Sequence, residues 1–380
     1  MPKIKVTHII TGLDAGGAEM MLYRLLSATD SAAFTSEVIS LTDLGPVGRR
    51  IEQLGIPVRA LGMKRGIPSP SAFLRLVSWL RQSQPDVIQS WMYHADLLGG
   101  LAAYWAGRRN IVWNIRIAAV PRQNKLTMAI MGINAALSHW LPKRIVCVAE
   151  AAKQAHIGYG YDAKRMVVIP NGLDVENFTA KVEDTAALRQ QCGFSASDTV
   201  IGWVGRFHPD KGQDNFVKAA AIVVASHPRA RFVLVGRGCD ARNARLRDWL
   251  SVRGLERHVV LLGERHDIPV CLAVMDVFCM PSSNEGFPNA LAEAMAMGLP
   301  CVATTAGDAA ILAGDSAVLV EPRDERALAR GLMDVLSLSP EKRRQLGQRA
   351  KTRVLSEFSI ARTERSFRTL YEDLLKESRA

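Results

Sequence analysis

The sequence predicts an α/β protein made of two doubly wound, Rossmann-like sheets. Three observations point there: a chain of 380 residues, longer than one core usually grows; short β-branched runs that alternate with helical patterns; and a second round of that alternation after a polar connecting stretch. In the first round, strands are expected over 4–10, 36–41, 58–61, 86–89, 110–115, 144–148 and 166–169, with helices in most intervals, for instance over 71–82 and 95–106. Asn171-Gly172-Leu173-Asp174 is a turn signal, and a polar stretch holding one short helix continues to about 199. The second round gives strands over 200–204, 231–235, 258–262, 277–280, 300–303 and 317–320, then a helix over 325–336. Residues 340–378 read as helical and amphipathic. Open parallel sheets take ligands beyond the carboxyl ends of their strands, so a cleft is expected between the two.

Composition excludes several classes. A hydrophobic fraction of 48% with 22% charged residues is ordinary for a globular protein and does not suggest disorder. The first strand is too short and polar for a signal-peptide core, and no run approaches the ~18 apolar residues of a membrane span. A cytoplasmic protein is expected, with the inner face of the cell membrane as its peripheral station. The six cysteines form no C-x-x-C pair and no zinc-like cluster, which fits free thiols in a reducing compartment. Net charge is +11, and residues 1–170 hold most of it, with 20 Lys and Arg against 10 Asp and Glu. Such a field suits an anionic partner: a phosphorylated lipid, an anionic bilayer or a nucleic acid. Trp and Tyr are not interleaved with the cations as a base-stacking platform, which disfavours nucleic acid.

The most informative stretch is Ser282 to Pro300, where Glu285 and Glu293 stand eight positions apart across a loop entering a helix. Pro288 suits a first helical position, 290–297 are strong helix formers, and Gly298-Leu299-Pro300 stops the helix. Glu285 is then expected in the loop and Glu293 about two turns inside. Amides of Gly286, Phe287, Pro288-Asn289 and Ala290 surround the helix start, whose positive dipole end makes a seat for a diphosphate. Two carboxylates flanking that seat can bind the hydroxyls of two sugars.

The E-x7-E spacing inside EGFPNALAEAMAMGLPCVAT resembles the retaining, nucleotide-sugar-dependent glycosyltransferases of family 4, which have the GT-B architecture. The resemblance runs nearly end to end. It includes GLDAGGAEMML (12–22), VIPNGLDVENF (168–178), GWVGRFHPDKGQD (202–214), FVLVGRG (232–238) and LLGERHDIP (261–269), in the family's order. SWMYHADLLGG and EGFPN are closest to the bacterial surface-polysaccharide type. The resemblance implies an acceptor-binding domain over 1–180, a nucleotide-sugar-binding domain over 181–357, and a segment over 358–380 that crosses back to the first.

It also implies roles. Glu285 matches the acid that contacts the transferred sugar, and Glu293 the acid that binds the nucleotide ribose. Arg206 and Lys211, on the loop after the first strand of the second domain, match the pair that holds the donor diphosphate. Gly236 and Arg265 lie at strand ends where the family seats the base. Gly16 and Gly17 follow the first strand and let a phosphate or sugar approach the backbone, although a plain tight turn would also explain them. They do not form a G-x-G-x-x-G fingerprint, and no acid ends the second strand, which disfavours a nicotinamide enzyme. Glu19 is expected to cap or orient the following helix.

The acceptor side departs from the family pattern. Arg116 stands where many relatives carry a histidine; an Arg stays protonated, so its expected role is electrostatic, at the donor phosphate or the transition state. His94 is the other acceptor-side candidate, with helix capping as the ordinary alternative. Residues 124–140, rimmed by Arg122, Lys125, Lys143 and Arg144, read either as a core helix or as one lying in a membrane interface.

The expected reaction moves a sugar from a nucleotide-diphosphate sugar, UDP by family frequency, to a hydroxyl of a glycan or polyprenyl-linked acceptor. Configuration is expected to be retained without a metal or other cofactor. The sequence offers no carboxylate nucleophile for the opposite face of the sugar, which favours same-face attack, with the leaving phosphate taking the acceptor's proton. Domain closure about 171–180 is expected to exclude water. A nucleotide-sugar epimerase on the same architecture remains an alternative.

Overall fold

Strands buried on both faces need no alternation of polar residues, so their runs of Val and Ile collapse into parallel sheets covered by helices. A computed structural model describes residues 3–14, 16–64, 69–118 and 124–378. Its first sheet contains β1 (Ile4–Ile10), β2 (Phe34–Ser40), β3 (Val58–Ala60), β4 (Val87–Trp91), β5 (Ile111–Ile115), β6 (Arg144–Cys147) and β7 (Met166–Val168). Every neighbour is parallel, in the order β3-β2-β1-β4-β5-β6-β7. The second sheet contains β8 (Thr199–Val204), β9 (Ala230–Val235), β10 (Val259–Gly263), β11 (Val277–Met280), β12 (Cys301–Thr304) and β13 (Val318–Val320). Its order, β10-β9-β8-β11-β12-β13, repeats that of the first six strands. Each sheet therefore reverses strand order once, between β1 and β4 and between β8 and β11, and such reversals are where ligands bind.

The chain divides into two compact units, Met1–Gly172 with Ile360–Ala380, and Leu173–Ser359. The first change of unit falls at 172, eight residues before the expected 180. Leu173 donates its amide to the Phe358 carbonyl at 2.9 Å and bridges to Ser359, which ties it to the second unit. The return falls at 359 rather than 357, because Phe358 packs on Phe287 of the second unit, ring centroids 5.6 Å apart.

The last helix, Ile360–Glu377, closes the first core. Its Phe367, Tyr371 and Leu374 are buried with Trp91, Phe34 and Val6, and the Tyr371 hydroxyl donates to Gln89 Oε1. Each large apolar side chain so buried contributes about 1.5–3 kcal/mol. The second core gathers Trp203, Phe216 and Phe232 around β8 and β9. Five of the six cysteines are buried and all are free thiols; burial pushes Cys271 up to about 11 and Cys239 up to about 12.

Candidate active site

At the β8/β11 reversal two loops meet. The loop after β8 ends in a short turn, Pro209–Lys211, before the helix Gln213–Ser226, and the loop after β11 leads into the helix Asn289–Ala296. Lys211 Nζ donates to Glu285 Oε1 at 2.6 Å, and the Ser282 hydroxyl donates to the same oxygen at 2.7 Å. Glu285 is 10% exposed and Lys211 27%. The second carboxylate oxygen, Oε2, has no partner among the described residues, and an ammonium carries three donors, so both groups keep capacity for a ligand.

The backbone holds this pair in place. Ser283 donates its amide to the Asp210 carbonyl at 2.8 Å, and Gln213 Nε2 donates to the Arg206 carbonyl at 2.8 Å. From the other side, Thr304 Oγ1 donates to the Ser282 carbonyl at 2.5 Å and the Asp308 amide to the Gly286 carbonyl at 3.0 Å. Gly212 has φ +66°, and a Cβ there would lie 2.1 Å from the Pro281 carbonyl oxygen. The two loops touch because that residue has no side chain.

The helix start differs from expectation in register. Pro288 caps the helix from outside, with ψ 84° at the cap, so helical geometry begins at Asn289. The first intrahelical bond runs from the Ala292 amide to the Pro288 carbonyl. Glu293 is then the fifth helical residue, little more than one turn in rather than two, because a turn takes 3.6 residues. It is half-buried, and Phe287 and Pro288 are buried at the helix entrance.

Arg206 stands exposed on the loop after β8, its guanidinium without a partner among the described residues. Gly236, with φ +137°, sits where a Cβ would fall 1.9 Å from the Gly205 carbonyl oxygen. The space left by its missing side chain is thus filled by the protein's own backbone. The amide of Gly236 donates to Gly263 and that of Phe207 to Arg237, which joins the ends of β8, β9 and β10. Arg265 is engaged by Asp267, with Nε 2.9 Å from Oδ1. The hydrogen bonds of that pair raise the guanidinium above its ordinary pKa and lower the carboxyl. A cavity of about 350 Å³ lies beside the loop, lined by His208, Asp210, Gly212, Ser283, Arg245 and Trp249 among others; neither Lys211 nor Glu285 lines it.

In the first unit, Arg116 follows β5. Its Nη1 donates to Asn114 Oδ1 at 3.2 Å and to the Ile169 carbonyl at 3.3 Å, and its Nη2 donates to Asn171 Oδ1. Burial pulls the guanidinium down to about 9, so it remains cationic at neutral pH. Its terminal donors reach oxygens of its own unit, joining the end of β5 to the segment after β7. His94 is the second residue of the helix Tyr93–Trp105, half-buried and inside the helix rather than at its cap. Burial lowers its pKa below the ordinary 6.5, and its ring has no partner among the described residues. Gly17 opens the helix Gly17–Ala28 and Gly16 caps it with extended backbone, φ −152°. A Cβ on Gly16 would lie 2.3 Å from Glu19 Oε2, so the carboxylate of Glu19 folds back over the helix start in the orienting role expected for it.

Two family models match the chain: Glycosyltransferase Family 4 over residues 15–177 and Glycosyl transferases group 1 over residues 198–337. The chain belongs to the family 4 glycosyltransferases. It is 26% identical over 321 residues to the UDP-Gal:alpha-D-GlcNAc-diphosphoundecaprenol alpha-1,3-galactosyltransferase of Escherichia coli, covering 81% of each chain. It is 22% identical over 343 residues to the capsular polysaccharide biosynthesis glycosyltransferase CapM of Staphylococcus aureus, covering 87% of this chain and 89% of that one. Among solved structures, Anabaena HepE in complex with UDP superposes with a TM-score of 0.84 at 24% identity, covering 97% of this chain and all (100%) of that one. The fold is GT-B, two Rossmann-like domains, and the protein is a glycosyltransferase acting on nucleotide sugars in polysaccharide or lipid-linked glycan synthesis.

Beyond the residues read from its sequence, this glycosyltransferase has a buried polar chain in the first domain. Asp96, 1% exposed, accepts from the Ser90 hydroxyl at 2.6 Å and from the Asn114 amide at 3.4 Å, and Asn114 in turn accepts from Arg116. Asp96 Oδ2, Asn114 Nδ2 and Arg116 Nε have no hydrogen-bond partner among the described residues. Burial raises the Asp96 carboxyl well above its ordinary range. The folded state therefore keeps a proton that the unfolded chain releases near pH ~4. The stability this group supports is complete below that pH and is lost as pH rises toward the folded pKa. Asp96→Asn keeps the Oδ1 acceptor and removes the titration. Urea unfolding of this variant is expected to show stability at least equal to wild type at about pH 8 and a flatter dependence between about pH 5 and 8. A marked loss at pH 8 would mean that the protein uses an ionised Asp96.

Proposed function

We propose that this glycosyltransferase transfers a sugar from a UDP-sugar, with retention of configuration, to a hydroxyl of a glycan or polyprenyl-diphosphate-linked acceptor. The observation that carries the reading is the Lys211–Glu285 pair at the strand-order reversal, with Glu285 Oε2 open to a ligand. The Escherichia coli relative is named for UDP-Gal and alpha-D-GlcNAc-diphosphoundecaprenol, which supports this choice of donor and acceptor class, and HepE was solved with UDP, which supports the donor.

The donor belongs to the second domain. Glu285 Oε2 accepts a hydroxyl of the transferred sugar, and Glu293 takes the ribose. The diphosphate lies at the helix start formed by Gly286, Phe287, Pro288, Asn289 and Ala290, where Arg206 and the remaining Lys211 donors meet the negative charge that grows as the glycosidic bond breaks. These groups take the place of a metal ion. Gly236 and Arg265 border the base through the joined ends of β8, β9 and β10, Arg265 acting as part of its ion pair with Asp267. Gly16 and Gly17 offer the donor's phosphate or sugar a close backbone approach, whereas the acceptor belongs to the first domain, where His94 is an imidazole of lowered basicity near a strand end and Arg116 supplies a fixed positive field. With no carboxylate assigned to the opposite face, attack proceeds on the face the phosphate leaves, and that phosphate accepts the proton.

The test is the stereochemistry of the product. An α-linked sugar from an α-configured UDP donor, read from the anomeric proton by NMR at early times, is the expected result; a β-linked product rejects the mechanism. Donor incubated without acceptor should give slow hydrolysis. An isomerised sugar nucleotide would favour the epimerase reading.

A further inference from the structure

The cavity beside the loop after β8 has walls that the donor chemistry leaves unused. Its volume of about 350 Å³ falls at the small end of the ~300–1,000 Å³ usual for small-molecule sites, and neither Lys211 nor Glu285 lines it. The helices Gln213–Ser226 and Glu325–Ser337 contribute their first turns, and Ala244–Ser251 contributes Arg245 and Trp249. Phe207, also in the lining, packs on Trp249 with ring centroids 5.7 Å apart, and the Arg245 guanidinium lies 4.9 Å from the Trp249 ring. One wall is therefore aromatic.

The polar groups around that wall are of both kinds. Asn215 is 5% exposed, and its Nδ2 is buried with no hydrogen-bond partner among the described residues. A buried amide donor left in that state is costly unless something bound supplies an acceptor. The Asp210 amide donates to His208 Nδ1 at 3.3 Å, which leaves Nε2–H of that ring as a donor. Arg323 holds φ +63°, which L-residues seldom adopt, and its guanidinium has no partner among the described residues. Acceptors come from Glu325, whose carboxylate also lacks a partner among those residues, and from Asp214, 3.7 Å from Lys218.

We propose that this cavity binds a neutral saccharide unit, as a second sugar site separate from the one where transfer occurs. A sugar ring has CH faces that rest on an aromatic wall, and its hydroxyls each donate one hydrogen bond and accept two, so one ring meets Trp249, Asn215 and Glu325 together. A phosphate only accepts, and it would face the carboxylates of Asp210, Asp214 and Glu325. An apolar ligand would leave the donors unpaired. Because the enzyme serves glycan synthesis, the ligand of this chemistry nearest to hand is one residue of a glycan chain. The inference concerns the second domain alone and depends neither on the donor's nucleotide nor on Glu285.

The experiment follows the indole N–H signals of the full chain labelled with nitrogen-15 tryptophan, the Trp249 signal being assigned by its absence from Trp249→Phe. The methyl α-glycosides of glucose, galactose and N-acetylglucosamine, and maltose, are titrated singly, with inorganic phosphate as the anionic probe. At least one sugar is expected to shift the Trp249 signal saturably, with a Kd on the order of 1 mM for a ligand of this size. Asn215→Ala and Glu325→Ala should each raise that Kd at least about fivefold. Glu325 is only half-buried, so its variant keeps the test open if Asn215→Ala lowers the melting temperature. Glu285→Gln should leave the Kd unchanged, which separates this site from the donor site. No saturable shift at sugar concentrations far above that Kd overturns the proposal, as does equal affinity in wild type and both cavity variants. Loss of the shift in Glu285→Gln overturns it by placing the sugar at the donor site, and a shift with phosphate but with no sugar overturns it in favour of an anion site.

Discussion

Replacing Lys211 by Ala is expected to lower sugar transfer by about 10²–10³-fold, the scale for losing one preorganised donor aimed at developing charge. The effect should lie in kcat and in donor affinity together. The ammonium proposed to meet the diphosphate also holds Glu285 Oε1 at 2.6 Å. Glu285→Gln keeps an oxygen for the Ser282 hydroxyl but removes the charge, and a comparable loss is expected. Because the two side chains share one hydrogen bond, the double variant should be little worse than either single one, an interaction that a double-mutant cycle on kcat/KM resolves. Additive losses would show that the two groups act separately.

Gly212→Ala should force apart the two loops that meet at the site. An L-residue at φ +66° costs about 1–2 kcal/mol, and a Cβ 2.1 Å from the Pro281 carbonyl adds an overpacking penalty of about 1–3 kcal/mol. Gly254 provides the control. It has nearly the same φ, +63°, with nothing within 4 Å of a built Cβ, so Gly254→Ala should show the backbone cost alone. In urea unfolding, Gly212→Ala is expected to be the less stable of the two, and only it should weaken UDP binding, because it separates the loops that bring Lys211 to Glu285. Equal stability and equal UDP affinity in the two variants would mean that the loop contact contributes nothing.

How much was legible follows from how local each signal is. All thirteen strands were readable because buried parallel strands appear as short apolar runs whatever their neighbours, and their ends shifted by only a residue or two. The placement of Glu285, Arg206 and Lys211 on the loops after β11 and β8 was readable because strand, loop and helix succeed one another in sequence. The supports of the site were not. Asp210, Gln213 and Thr304 act through contacts between the ends of different strands, which no spacing displays. The Gly212 that follows Lys211 was the nearest available signal. The Asp96–Asn114–Arg116 chain was hidden for the same reason: Asn114 sits in an apolar strand, and Asp96 looks like an ordinary acid near a helix start. Arg116 was read as an electrostatic group from its position alone. Its bonds to Asn114, Ile169 and Asn171 emerge only when β5 and β7 are placed in one sheet. The helix Lys125–Leu137 left two readings open in sequence; it buries Met131, Asn134 and Ala135 as a helix covering a sheet does, while Leu126, Ile133 and Trp140 stay about half exposed. Arg122, counted in its rim from sequence, lies outside the described residues, among which no helix is long and apolar enough to cross a membrane.

The most direct measurement is calorimetric titration of UDP into wild type, Lys211→Ala and Glu285→Gln. Wild type should bind one UDP per chain. Lys211→Ala should bind at least about tenfold more weakly, having lost the cation proposed for the diphosphate, whereas Glu285→Gln should hold UDP nearly as well, since that carboxylate is proposed to serve the sugar. Equal UDP affinity in wild type and Lys211→Ala, or no binding of any nucleoside diphosphate to wild type, would contradict a donor site built on this pair.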